Sequence, residues 1–291
     1  MQGPNRFNLV LMLAPATLVL GGLFAGGLAL GLLESIGVAG LSSDGFTTEH
    51  YLALLSDREF RASLGFSFAM AAIATLLSTV FGVAMALAIH HHRKESRLAR
   101  MLIQFPVAMP HLAIAMVVIH LLAPSGLLAR GAYAAGWIGE PAEFPAVIQD
   151  AYGIGILVAY VWKETPFLAV VALAMLARTG EEYDLCARTL GATTWQRLRY
   201  VTLPLIAPGV ISASLIALAF VFSSFETPFL LGRPYPAMLG VVAQRRFMSA
   251  DLADRPAALA LALAMAVVTA AAVWLYLKLA ERFVGERPAV F

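Results

Sequence analysis

The chain has 291 residues, of which 60% are hydrophobic and only 13% charged, with a formal net charge of +2. Soluble domains run nearer roughly 45–50% apolar and about 25% charged, so a mean hydropathy of +0.80 excludes an ordinary soluble core and points to a polytopic membrane protein. The small net charge gives no ground for nucleic acid as a partner, and a single cysteine, Cys186, excludes an internal disulfide and a cysteine-based metal site.

A helix needs about 20 apolar residues to cross the bilayer core. Six segments meet that length, at about 9–33, 62–89, 101–122, 153–177, 206–231 and 257–279. Helices are the expected form because an open strand leaves its backbone unsatisfied in lipid. The fold class is therefore an all-α membrane protein, with 1–291 as a single transmembrane domain. The first segment is longer than a signal-peptide core of about 7–15 residues and reads as an uncleaved span. Its Gly22/Gly26 and Gly27/Gly31 pairs are spaced for close helix contact.

The first outer loop holds Tyr51, Leu52, Leu54 and Leu55 near helical spacing, which predicts a short interfacial helix. His90, His91 and His92 end the second span beside Arg93 and Lys94, where headgroup contact is a better reading than a metal tract. The 90–100 loop also carries Arg97 and Arg100, and this basic cluster places it, with both termini, on the cytoplasmic side. His111 and His120 in the third span read as satisfied polar residues. The 123–152 loop, with Pro124, Trp137, Pro141, Phe144 and Pro145, reads as packed at the membrane surface.

The fourth span contains Lys163 and Glu164, followed by Thr165 and Pro166. Charges inside spans are costly and default to function. Adjacent helical residues point about 100° apart, so the two face different partners. The fifth span ends in text containing Phe225 and Glu226, and Glu226 is a candidate for lining or gating a pathway. These four residues, Lys163, Glu164, Phe225 and Glu226, are the expected translocation-pathway set. The outer loop that follows opens Gly232–Pro236 as a rigid turn. Arg233, Arg245, Arg246 and Arg255 lie in it and weaken the orientation argument.

Between spans four and five lies a polar island, 178–205. Residues 183–190 read as a short amphipathic helix, Gly191 as its breaker, and Thr194 as the cap of a second helix over 195–201. Pro204 and Pro208 bracket the entry to the fifth span. Such a helix–turn–helix is a rigid knob suited to docking a cytoplasmic partner. Lysine occurs only at Lys94, Lys163 and Lys278, and none completes a GxxxxGK[ST] phosphate loop. Any ATPase is thus a separate chain. No Ser/His/Asp set, carboxylate pair or HExxH supports a membrane enzyme, and no metal site is expected.

Within this island Ala187, Gly191, Val201, Leu203 and Pro204 are spaced as in the EAA signature, and the chain resembles the permease subunits of bacterial type I ABC importers over roughly 60–280. The resemblance implies that Asp184, Leu185, Cys186, Ala187, Arg188, Gly191, Leu203 and Pro204 form the ATPase-coupling surface. It implies no cofactor in this chain, with ATP and Mg2+ held by two copies of a partner ATPase. It further implies a second permease (a heterodimer), a periplasmic solute-binding protein, surrounding lipid, and residence in the bacterial inner membrane with cytoplasmic termini. Leu185 and Cys186 replace the Glu-Ala of the signature. Glu181, Glu182 or Asp184 is then the expected substitute for the missing acid. The text around Glu226 looks like the spermidine/putrescine type, with ferric iron, thiamine and phosphonate permeases as alternatives. An ion-coupled secondary transporter is the competing class.

Overall fold

The computed structural model describes residues 6–40, 45–91, 105–179 and 182–284. The basic cluster Arg93, Lys94, Arg97 and Arg100, together with His92, Glu181, Arg287 and the start of the predicted third span, lies outside them. The described residues are helical, without a strand, and include six helices long and apolar enough to cross a membrane.

The elements are α1 (Arg6–Ser35), α2 (Glu49–Ser56), α3 (Arg58–His91), α4 (His111–Leu122), α5 (Leu127–Ala134), α6 (Ile154–Thr179), α7 (Glu182–Thr189), α8 (Thr194–Arg197), α9 (Leu203–Ser223), α10 (Glu226–Leu231), α11 (Leu239–Phe247) and α12 (Arg255–Val284). A π turn, Leu198–Thr202, joins α8 to α9.

Two of the expected spans are broken. In the third, a helical turn at 105–108 is separated from α4 by Met109 and Pro110. Proline has no N–H, so the intrahelical bond that would close that turn cannot form. The fifth ends at Ser223, where Ser224 turns to extended backbone at ψ 145°, and Glu226 begins the separate helix α10. The residues around the first break, 105–110, are all apolar, so hydropathy does not mark it.

The chain divides into two compact units. One comprises the N-terminal segment through Arg58 and Ala243–Met265. In it Ser35 and Tyr51 share a 2.7 Å hydrogen bond, Arg246 donates to the Asp57 carboxylate, and the Arg255 guanidinium lies 5.3 Å from the Phe247 ring centroid. Two of the outer-loop arginines thus have local partners. Gly22, Gly26 and Gly27 face open space, and only Gly31 approaches a side chain, Leu259 at 3.8 Å.

The other unit comprises Glu59–Val242 and the end of the chain from Ala266. Its organising face is the small-residue stripe of α3: Ser63, Ser67, Ala71, Ala74, Ser78 and Ala86, all at most 1% exposed. Small side chains let helices approach closely where lipid supplies no hydrophobic drive between them. Ala86 packs with Ala169, Ala172 and Leu176 of α6 and with Ile206 and Val210 of α9. These residues hold together the two helices that flank the polar island. At the start of α11, the Leu239 N–H donates to Ser67 Oγ at 2.7 Å in a buried setting. Ser67→Ala is expected to cost about 1–3 kcal/mol, because it leaves that N–H unpaired; a lower Tm of the detergent-solubilised protein is the check.

Candidate functional site

The polar island folds as a helix–turn–helix whose spacing has a local cause. After α7 the chain turns at Gly191, with φ +78°. The Ala192 N–H bonds the Ala187 carbonyl at 3.0 Å and the Gly191 N–H bonds the Arg188 carbonyl at 2.9 Å. This paired closure is the Schellman motif, and it makes the distance from Ala187 to Gly191 a backbone requirement. A Cβ at Gly191 would meet nothing within 4 Å, so glycine is required by the torsion and not by space. The cap of α8 is Thr193, one residue before the expected Thr194. Gln196 N–H donates to Thr193 Oγ1, and Thr193 N–H donates to Gln196 Oε1 at 2.8 Å. This reciprocal arrangement satisfies two donors that the helix start would otherwise orphan.

The second helix does not stop at Val201. It passes through the π turn directly into α9, with Pro204 in the first turn of α9. A proline there removes the bond to Tyr200 and crowds its carbonyl, and the wider π turn gives that carbonyl room. Leu203 packs against the Ala86–Ile206 cluster. The knob is therefore continuous with α9, and α6 ends at Thr179 just before α7 begins.

Asp184 joins the two short helices. Its carboxylate accepts from Arg197 Nη1 at 2.6 and 2.7 Å and from Arg188 Nε at 2.8 Å. The knob exposes three large apolar side chains, Leu185, Leu190 and Trp195, at 54%, 87% and 69%, together with Cys186 and the polar Glu182 and Arg188. Asp184, one of the three acids expected to substitute for the signature glutamate, is thus engaged within its own chain. Glu182 stands in the first turn of α7.

In the membrane body the four expected pathway residues do not form one cluster. Lys163 donates to the carbonyls of Pro106, Val107 and Met109. Glu164 lies 3.4 Å from His111 Nε2, and the His111 ring sits 4.3 Å, centroid to centroid, from Phe220 of α9. Phe225 occupies the cap position of α10 and Glu226 its first turn, both exposed. His120 bonds the Met116 carbonyl within its own helix. Among the described residues no group of three or more His, Cys, Asp or Glu is placed to hold a metal.

A family model described as "Binding-protein-dependent transport system inner membrane component" matches residues 78–285, more than half of the chain. The chain belongs to that family. Its match spans the broken third span, α6, the knob and α9. Two curated members of similar sequence are the trehalose transport system permease protein SugA of Mycobacterium tuberculosis, 29% identical over 62% of this chain and 57% of that protein, and the molybdenum transport system permease protein ModB of the same organism, 33% identical over 58% of this chain and 61% of that protein. The chain thus aligns with about 60% of the length of these relatives. A crystal structure of a bacterial ABC transporter involved in the import of the acidic polysaccharide alginate shares the fold, with a TM-score of 0.77 and 20% identity over 95% of this chain and 96% of that one.

Within this family member, sequence reasoning missed the partners of Lys163, the pairing of His111 with Glu164, and Arg197 as the residue that ties the knob together. Only the first had a local signal. Pro110 at the centre of an apolar run frees carbonyls, and a buried ammonium needs acceptors.

Proposed function

We propose that this chain is one membrane-spanning half of an ATP-driven importer that works by alternating access. A periplasmic binding protein delivers a small solute to the outer face, two ATPase subunits carrying ATP and Mg2+ close below, and a second permease completes the pathway. The knob at 182–202 is the observation that carries this reading. It is braced by Asp184, closed at Gly191 and capped at Thr193, exposes large apolar side chains, and continues without a break into α9. A rigid body of that kind transmits a push, whereas a flexible loop absorbs it. Leu185, Cys186, Ala187, Arg188 and Gly191 form its first helix and turn, and Leu203 and Pro204 fasten it to the body. The basic 90–100 loop supports cytoplasmic termini in the inner membrane.

For the solute, an amine-bearing compound of the polyamine type rests on the exposed acid Glu226 and the text around it. The relatives named for trehalose and molybdenum widen the choice to sugars and oxyanions. An ion-coupled transporter is the competing reading, and the Glu164–His111 pair is the observation on its side. Uptake by right-side-out vesicles containing the complex, supplied with its binding protein and labelled putrescine, trehalose, molybdate or sulfate, decides between them. Uptake is expected only with ATP inside; accumulation driven by an ion gradient without nucleotide would overturn the reading.

A further inference from the structure

Lys163 is 7% exposed, and its ammonium is fully used. It donates to Pro106 O at 2.7 Å, Val107 O at 2.9 Å and Met109 O at 2.5 Å. An ammonium has three protons, so none is left for a solute. The acceptors are carbonyls at the end of the 105–108 turn; Pro106 O also takes the Met109 N–H at 3.3 Å, and the Pro110 that follows has no N–H to offer it. In hydrocarbon each orphaned carbonyl costs several kcal/mol, and an unpaired ammonium is costly as well. Each solves the other's problem across 54 to 57 positions of sequence.

The next residue ties the other side of the same break. Glu164 meets His111, the first residue of α4, at 3.4 Å. Two consecutive residues of α6 therefore hold the chain before Pro110 and the chain after it. Packing alone holds a continuous helix, but a broken one can swing at the break. A buried charged group offers no stability that a well-packed apolar residue and an unbroken helix would lack. What the ammonium adds is a directional tie between α6 and a helix end.

We infer that Lys163 is a positioning residue that makes the break in the third span follow α6, so that displacement of the knob at 182–202 reaches the third span. The inference rests on the importer reading, because the knob must be driven for anything to be transmitted. It assigns Lys163 to transmission and removes it from the residues that touch solute.

Hydrogen exchange of the complex purified with its ATPase, read with and without ATP plus vanadate, tests this. In the wild type, nucleotide trapping is expected to change exchange both at 182–197 and at 105–118. In Lys163→Met the change at 182–197 is expected to remain and that at 105–109, the segment Lys163 holds, to be lost, while Glu164 still ties His111. A merely structural lysine would instead give faster exchange throughout, with the nucleotide-dependent change at 105–118 preserved. That result would overturn the inference. Should Lys163→Met fail to assemble, the double variant Lys163→Met/Pro110→Ala restores one backbone donor, for Pro106 O, while leaving α6 without its tie to the 105–109 segment. It is expected to assemble and to lose the same transmitted change; a wild-type response in it counts against the inference. A wild-type complex silent at 182–197 would sink the importer reading, and this inference with it.

Discussion

Gly82→Ala is expected to destabilise the protein, and Gly82→Val to do so severely, although alanine is the better helix former by about 1 kcal/mol. The reason is the neighbour. A Cβ at Gly82 would lie 2.8 Å from the Leu168 Cβ, 2.9 Å from the Thr165 carbonyl oxygen and 3.1 Å from the Ala169 nitrogen. None of these is the free end of a flexible side chain, so α3 and α6 must separate. Overpacking of this kind costs about 1–3 kcal/mol and occasionally more, which exceeds the propensity gain. The separation would open the Ala86–Ala169–Ala172 cluster beneath the helix that carries Lys163. Gly65 is the internal control. It lies on the same helix, and a Cβ there would meet nothing within 4 Å, so Gly65→Ala should gain about 0.5–1 kcal/mol. Thermal unfolding in detergent should move the two variants in opposite directions. Equal shifts would show that the contact at Gly82 does not limit the approach of α3 and α6.

What the sequence made legible follows from the range over which each signal acts. The spans are visible because about 20 apolar residues must occur in a row, and hydropathy reads such runs directly. The Schellman turn is visible for the opposite reason: Ala187, Gly191 and Ala192 interact within a handful of residues, and glycine marks the torsion. The breaks at Pro110 and Ser224 escape both kinds of signal. Pro110 sits in a run as apolar as any span, and what satisfies its neighbours is Lys163, more than 50 positions away. The Ser224 carbonyl lies against Gly240, where a Cβ would sit 2.6 Å from that oxygen, so close approach of a distant glycine covers the second break. Lys163 and Glu164 were recognisable as costly charges that must face different ways. His111 carries no local pattern as a partner, and for the carbonyls Pro110 signals only that an acceptor is freed, not which distant residue meets it. Asp184 lay in the right loop, but Arg197 reaches it only after the chain has turned at Gly191.

The Asp184–Arg197 contact leads to the second large effect, on coupling rather than stability. On the importer reading proposed above, Asp184→Ala and Arg197→Ala are each expected to weaken capture of the ATPase subunit, and the two together are expected to be little worse than either. An isolated surface ion pair is worth only about 0–1 kcal/mol. Here one carboxylate takes bonds from two arginines, Arg197 is only 14% exposed at its side chain, and the helices it joins are too short to persist alone. Contacting residues in such networks couple by about 0.5–3 kcal/mol, and about 1.4 kcal/mol is a tenfold change in an equilibrium. A several-fold loss of ATPase co-purification is therefore the expected scale for each single change. The swap Asp184→Arg with Arg197→Asp separates two roles for the acid. If Asp184 braces the knob, the swap restores part of the capture, because the pair is rebuilt with its ends exchanged and Leu185 and Trp195 keep their exposed positions. If Asp184 reaches out to a basic residue on the ATPase, the swap places an arginine against that residue, and capture falls below either single variant. Recovery in the swapped protein would leave docking to the large apolar side chains of the knob, with the carboxylate holding it in shape.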